Sequence, residues 1–284
     1  MGISYLPVIK WSGSKRSQAS NIISYFPVKV KTYYEPFVGG GSILNALLQS
    51  DVKADNYVCS DINNDLINLY KAIMARPKEV ADYYETLWRE LNIDNDLSRK
   101  KDYFEKVRER LNREHNPLDF MFIMRTTTNG MPRYNNKGEF NNSFHVTRNG
   151  IVPFKLRAII CDWSHRLNKH NVEFCSCSYE NIKPQSSDDF MYLDPPYVNT
   201  KGMYYGAINY DTLYKYLRAL PCKYAMSFDG RVNDNRKDNI TDFTNEVPND
   251  IYSEHIYLFS GNSSFRRTIG KSNSALVYES LYLR

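Results

Sequence analysis

The chain has no long hydrophobic run. Stretches such as Phe120 to Met124 fall far short of the ~20 apolar residues that a membrane-spanning helix needs. Its start, Met1 to Lys10, lacks the charged, apolar and small-residue order of a secretory signal, so the chain is expected to stay in the cytoplasm. Cysteine is scarce and odd in number: Cys59, Cys161, Cys175, Cys177 and Cys222, with no Cys-x-x-Cys pair. That argues against a disulfide framework and against a four-thiolate zinc site. The histidines, His115, His145, His165, His170 and His255, have no ligand spacing, so no metal is expected. What remains, 42% apolar and 24% charged over 284 residues, is the composition of a folded chain with one large domain or two.

The net charge of +5 is modest, but it is unevenly placed. From Arg99 to Asn171 there are 15 Lys and Arg against 7 Asp and Glu, which leaves the rest of the chain slightly acidic at 22 against 25. A solvated helix face is one source of such a bias. This segment, however, also interleaves amides and aromatics with its cations, from Asn129 through Arg133, Tyr134, Lys137 and Phe140 to His145. Phosphates, base edges and base faces are read by those residue types.

Hydrophobic periodicity predicts a strand after Lys31, a turn at Gly39-Gly40-Gly41-Ser42, and a helix through Ile43, Leu44, Leu47 and Leu48. A second strand, Asn56 to Ser60, ends at Asp61 and is followed by a helix through Leu66, Leu69 and Ile73. From Pro77 to Thr127 the pattern is helical with no strand of a sheet. Alternation returns with a helix from Phe154 to Leu167, strands at Val172 to Ser176 and Asp189 to Leu193, a helix near Asp211 to Leu220, and strands at Tyr224 to Phe228, His255 to Phe259 and Ala275 to Leu283. The expected architecture is therefore α/β with a mixed sheet, formed by residues 1–77 and 153–284 and interrupted by a mainly helical insertion, 78–152.

Two places carry chemistry. The run Glu35-Pro36-Phe37-Val38-Gly39-Gly40-Gly41-Ser42 puts small residues where a strand becomes a helix, so a ligand can approach the backbone there. It contains neither a complete Gly-x-Gly-x-x-Gly fingerprint nor a Walker lysine, and a tight structural turn is the plain alternative. Asp61, 20 residues beyond Gly41, ends the next strand, where a carboxylate can accept ribose hydroxyls; its alternative is to cap the following helix.

The second place is Asp194-Pro195-Pro196-Tyr197, at the carboxyl end of the apolar strand Phe190-Met191-Tyr192-Leu193. The prolines have no N–H, so the strand end offers the Asp194 carboxylate and the Pro195 carbonyl as acceptors with no backbone donor. An exocyclic amino group, with two N–H donors, matches such a pair, and Tyr197 offers a face for a base to stack on. A strand-to-turn exit is the plain alternative.

With Lys10-Trp11-Ser12-Gly13-Ser14-Lys15-Arg16 and Ser60-Asp61-Ile62-Asn63, these motifs together resemble the Dam-type DNA N6-adenine methyltransferases. The resemblance implies a Rossmann-like sheet that binds S-adenosyl-L-methionine and an inserted recognition domain. Its substrate would be double-stranded DNA, its site GATC, its setting a restriction-modification system, and its working form a monomer without a metal. Mapped onto matching positions, Trp11, Lys15, Phe37 and Gly39 would enclose the cofactor and Asp61 would hold its ribose. Asp194 would lie between cofactor and target amino group with Pro195 beside it, Tyr197 would hold the flipped adenine, and Asn129 and Arg133 would serve recognition. Arginine forks onto guanine O6 and N7 by geometry alone, which agrees with the role given to Arg133. Ser143 departs from a proline expected in some GATC readers, and Phe174 to Tyr179 offers no carboxylate at the third strand end.

Alternatives stand beside this reading, among them RNA or protein amide methylation, whose families more often carry Asn in place of Asp194. Pro221-Cys222 has the dipeptide of a carbon-5 cytosine methylase nucleophile, although it follows the tetrad and enters a predicted strand. N4-cytosine methylation uses the same amino chemistry. A DNA-binding homologue without catalysis would keep the fold, but the intact Asp61 and Asp194 argue against it.

Overall fold

The computed structural model describes residues 6–197, 208–234, 239–242, 247–262 and 275–284. Eight strands form one mixed sheet: β1 (Lys29–Glu35), β2 (Lys53–Asp61), β3 (Glu173–Ser176), β4 (Phe190–Leu193), β5 (Lys223–Asp234), β6 (Asn239–Asp242), β7 (Glu254–Asn262) and β8 (Ala275–Leu283). Their order is β3-β2-β1-β4-β5-β8-β7, with β6 paired to β5 off that path. The first five are mutually parallel, while β8 runs antiparallel to β5 and β7 antiparallel to β8. Chain direction across the sheet reverses between β1 and β4, and open α/β sheets bind ligands at the carboxyl ends beside such a switch. Glu35, Asp61 and Asp194 all fall there.

The predicted strands are present, with two differences. Strand β5 continues to Asp234, and β6, which sequence periodicity did not predict, pairs with that extension. Strand β4 is buried at all four positions, as a central parallel strand covered on both faces requires.

The helices are α1 (Ala19–Ile23), α2 (Ser42–Leu47), α3 (Asn64–Ala75), α4 (Pro77–Leu91), α5 (Leu97–Glu114), α6 (Pro117–Thr126), α7 (Pro153–Lys169) and α8 (Tyr210–Ala219). Their starts follow local chemistry. Pro opens α4, α6 and α7 at the first turn, where its missing N–H costs nothing, and the Asn63, Asp96, Asn116 and Asn209 side chains each accept from a first-turn N–H. Helix α4 packs on α7, and α6 on α3 and α5, so the helical segment between Pro77 and Thr126 shares a continuous apolar core with the sheet. Among the described residues no helix is long and apolar enough to cross a membrane.

Many of the 23 tyrosines are structural. Tyr33, Tyr70 and Tyr84 are buried with their hydroxyls donating to the Glu35 carboxyl and to the Gly39 and Ile151 carbonyls. A buried phenol needs such a partner.

Candidate active site

A cavity of about 490 Å³ opens over the carboxyl ends of β1, β2 and β4, lined among others by Trp11, Phe37, Asp61, Tyr179, Asp194 and Tyr197. Its size is that of an ordinary small-ligand site. The glycine turn forms the floor. Gly39 and Gly41 have left-handed φ of 45° and 66°, and Tyr70 fixes the turn by donating to the Gly39 carbonyl at 2.8 Å.

Asp61 faces the cavity with each oxygen half used. Oδ2 accepts from the Gly39 N–H at 3.1 Å and Oδ1 from the Asn63 N–H at 3.0 Å. Each oxygen keeps a lone pair, enough for the two hydroxyls of a ribose. Helix α3 is capped by Asn63, whose side chain accepts from Leu66 N–H at 3.1 Å, so capping does not account for Asp61. Burial raises the Asp61 carboxyl to about 6, against the pull of the Asn63 and Gly39 N–H groups.

Asp194 is more tightly engaged. The Lys15 ammonium lies 3.0 Å from Oδ1, and the Tyr197 hydroxyl donates to the same atom at 3.4 Å. Lys15 is only 4% exposed, stands 4.8 Å from the Tyr197 ring centroid, and donates to the Gly13 carbonyl at 3.1 Å. Burial raises the Asp194 carboxyl to about 6 while Lys15 lowers it and Glu279 raises it further. Pro195 and Pro196 line the cavity, and the Pro196 carbonyl accepts from Tyr210 at 2.7 Å.

Glu35, read in the sequence only as part of the motif, is a third carboxyl on the cavity wall. It is buried, accepts from the Tyr33 hydroxyl at 2.7 Å, and is pushed by burial from 4.5 to about 8. Between those values the folded chain holds a proton that the unfolded chain releases, so this group makes stability fall as pH rises across that window. Its share is up to ~1.4 kcal/mol per pH unit. Glu35→Gln is expected to flatten the fall, measured by urea unfolding between pH 5 and 8; an unchanged slope would show that Glu35 is not the acid responsible.

The segment expected from the sequence to serve recognition reaches this cavity. Residues 131–144 form a hairpin-like excursion with bridges at Thr127 to Phe144 and Tyr134 to Phe140, and Pro132 lines the cavity wall. The Ser12 N–H donates to the Gly130 carbonyl at 2.9 Å, and the Asn63 amide donates to the Tyr134 hydroxyl at 2.7 Å. The Arg125 guanidinium, buried on α6, donates to the carbonyls of Pro7 and Val8 and so holds the strand of chain that leads to Trp11. Asn129 is exposed with a left-handed φ of 58°. Arg133 is exposed too, with Nε 2.9 Å from Asn141 Oδ1 and Nη2 donating to the Asn141 carbonyl at 3.0 Å.

The third strand end lacks a carboxylate through Tyr179, as read from the sequence, but the next residue, Glu180, lines the cavity. Cys222 is buried, does not line the cavity, and its thiol is pushed up to about 11 by burial, all of which disfavour it as a nucleophile for carbon-5 cytosine chemistry. The contacts that sequence reasoning missed join residues far apart in the chain: Lys15 to Asp194 and Glu279, and Asn63 to Tyr134. No local pattern marks them.

The parallel half of the sheet, its switch point and a nucleoside-sized cavity with carboxyls at the ends of β1, β2 and β4 are those of a Rossmann-like α/β fold with its ligand site in the usual place. The chain belongs to the D12 class of N6 adenine-specific DNA methyltransferases, which it matches over residues 11–268. It is 31% identical over 206 residues to the type II methyltransferase M.MjaIII of Methanocaldococcus jannaschii, covering 67% of this chain and 68% of that one. It is 27% identical over 197 residues to the type II methyltransferase M1.LlaDCHI of Lactococcus lactis subsp. cremoris, covering 69% and 67%. To the DNA adenine methylase of Escherichia coli (strain K12) it is 31% identical over 195 residues, covering 66% and 64%. Enzymes of this family methylate DNA adenine with S-adenosylmethionine as donor.

Proposed function

We propose that the protein methylates N6 of adenine in double-stranded DNA at GATC, as the modification partner of a restriction enzyme, with Asp194 as the acceptor for the target amino group. The observation that carries this reading is the Asp194 carboxylate at a proline-terminated strand end inside a nucleoside-sized cavity. The residues present suit the cofactor. Asp61 has lone pairs for a ribose, Trp11 and Phe37 give the cavity apolar walls for an adenine, and Asp194 and Glu180 bring negative charge for an ammonium and a sulfonium. Bound there, S-adenosylmethionine supplies an electrophilic methyl group.

The chain's own residues do the rest. Tyr197 stacks the flipped adenine, and Asp194 with the Pro195 carbonyl accepts the two amino hydrogens, which draws the nitrogen toward tetrahedral geometry and frees its lone pair. As that nitrogen becomes cationic, the fixed negative charge of Asp194 offsets it in a site that excludes water. Residues 78–152 supply target recognition through Asn129 and Arg133, and cations of the basic stretch from Arg99 to Asn171 lie on phosphates.

Incubating GATC-containing DNA with protein and cofactor should protect it from a methylation-sensitive nuclease, and digestion to nucleosides should release N6-methyladenine. N4-methylcytosine in that digest would overturn the adenine assignment, and methyladenine without protection of GATC would overturn the site.

Recognition has its own test. Arg133→Ala is expected to cost ~1–3 kcal/mol of DNA binding and to relax preference at one guanine. The log of DNA affinity should also fall linearly with the log of salt, and a flat response would remove the phosphate contacts from the basic segment.

A further inference from the structure

Glu279 enters the site from the far side of the sheet. It lies on β8, whose neighbours both break register beside it. On β5 the shift falls between Asp229 and Arg231, leaving Gly230 as the extra residue; on β7 it falls between Phe259 and Gly261, leaving Ser260. Bulges re-aim side chains, and here two of them flank one carboxylate. A Cβ on Gly230 would stand 2.2 Å from the Tyr278 carbonyl oxygen, so the β5 bulge needs glycine. Ser260 donates to Glu279 Oε1 at 3.2 Å, and Oε2 points at the Lys15 ammonium, 3.6 Å away.

Lys15 therefore sits between two carboxylates, near on Asp194 and farther on Glu279. The near contact weakens the acceptor. Lys15 and Tyr197 both lie on Asp194 Oδ1, and an ammonium at 3.0 Å neutralises the carboxylate whose other oxygen, Oδ2, would take the amino group and face its developing charge. Nor can Lys15 leave unaided, since at 4% exposure it would become an unpaired buried charge. A shift of about 0.8 Å toward Glu279 would give it a full charge-assisted bond there.

We propose that Glu279 is a positioning residue for methyl transfer: it takes the Lys15 ammonium from Asp194 when the target amino group arrives, leaving Asp194 ionised and free to accept that group. The proposal rests on Asp194 being the amino acceptor. The charged and titratable groups around Asp194 are Lys15 from the N-terminal loop, Glu35 from β1, Tyr192 from β4, Tyr197, Asp229 from β5 and Glu279 from β8. With Lys15 on Glu279 the pair is neutral, and the Asp194 charge faces the developing cation undiminished.

Glu279→Gln tests this. Removing the repelling carboxylate, and confining Lys15 to Asp194, should make Asp194 easier to ionise but a weaker acceptor. Single-turnover methylation should slow about tenfold to a hundredfold, while calorimetric cofactor affinity changes less than about threefold, within the ~1.4 kcal/mol of a tenfold change. The acid limb of the rate profile should move below that of wild type, the opposite of what a slower enzyme with a weakened carboxylate would show. Lys15→Gln should move the same limb upward, and Glu279→Asp, which keeps the charge, should recover most of the rate. A wild-type rate in Glu279→Gln, or a slow variant whose limb is unmoved or raised, overturns the proposal. If the Gln variant does not fold, Glu279→Met, which also removes the charge, decides by the same criteria: a slowed rate with a lowered acid limb supports the proposal, and a wild-type rate or an unmoved limb overturns it. Asp194→Ala is measured alongside, and full activity there removes the underlying reading rather than the role of Glu279 alone.

Discussion

Asp194→Ala is expected to lower methyl transfer by at least ~10²–10³-fold, the loss that follows removal of one preorganised group facing charge developed in a transition state. The magnitude rests on two effects at one atom. Asp194 supplies the negative charge opposite the nitrogen, and its half-buried position, with the Tyr197 hydroxyl on Oδ1, screens that charge less than water would. Binding should survive. Asp61, to which we assign the ribose, is on another strand, Gly130 and Tyr134 keep their own contacts to Ser12 and Asn63, and Lys15 retains Glu279 as a partner, so the fold does not acquire an isolated buried ammonium. Single-turnover assays with labelled cofactor measure the loss, and titration of DNA and cofactor into the variant measures what is kept. Transfer at the wild-type rate would sink the role assigned to Asp194; equal loss of cofactor binding and rate would recast it as a binding residue.

The parts of this site legible in the sequence are those made by contiguous residues. A strand that ends in Asp194-Pro195-Pro196-Tyr197 and a strand that turns at Gly39-Gly40-Gly41 declare their positions, because a parallel sheet places its loops at the carboxyl edge whatever the rest of the chain does. Asp61 reads in the sequence either as a ligand or as a cap, and the structure gives the cap to the side chain of Asn63, two residues on. Glu279 was invisible, since a carboxylate in a late strand reads as a solvent-facing position; its approach to Lys15 depends on two bulges, and bulges are set by pairing rather than by local composition. The same holds for β6, whose four residues gain strand geometry only from the extended β5. The charge count picked out a basic segment, Arg99 to Asn171, but gave no hint that helices α5 and α6 within it share the sheet's own core.

Two glycines of one turn should fail in different ways. Gly41→Ala puts a methyl 2.7 Å from Trp163 Cη2 and 2.9 Å from the Tyr70 hydroxyl, at a left-handed φ of 66°. Trp163 is buried and stacked on Tyr70, which is itself stacked on Phe174, so none of the three can give way. Left-handed strain of ~1–2 kcal/mol and overpacking of ~1–3 kcal/mol add to roughly 2–5 kcal/mol, a large part of the stability of an ordinary domain. Calorimetry should show Tm lower by roughly 5–15 °C. Gly39→Ala carries comparable backbone strain at φ 45°, but its methyl meets Trp11 Nε1 at 2.7 Å, and Trp11 is a half-buried wall of the cavity with room to swing inward. The indole then occupies ligand space, and cofactor affinity should fall about tenfold or more, at least ~1.4 kcal/mol, with a smaller loss of Tm than in Gly41→Ala. Measuring both quantities on both variants separates the turn's two duties: if Gly39→Ala lost stability and kept cofactor affinity, Trp11 would belong to the scaffold and not to the cofactor site.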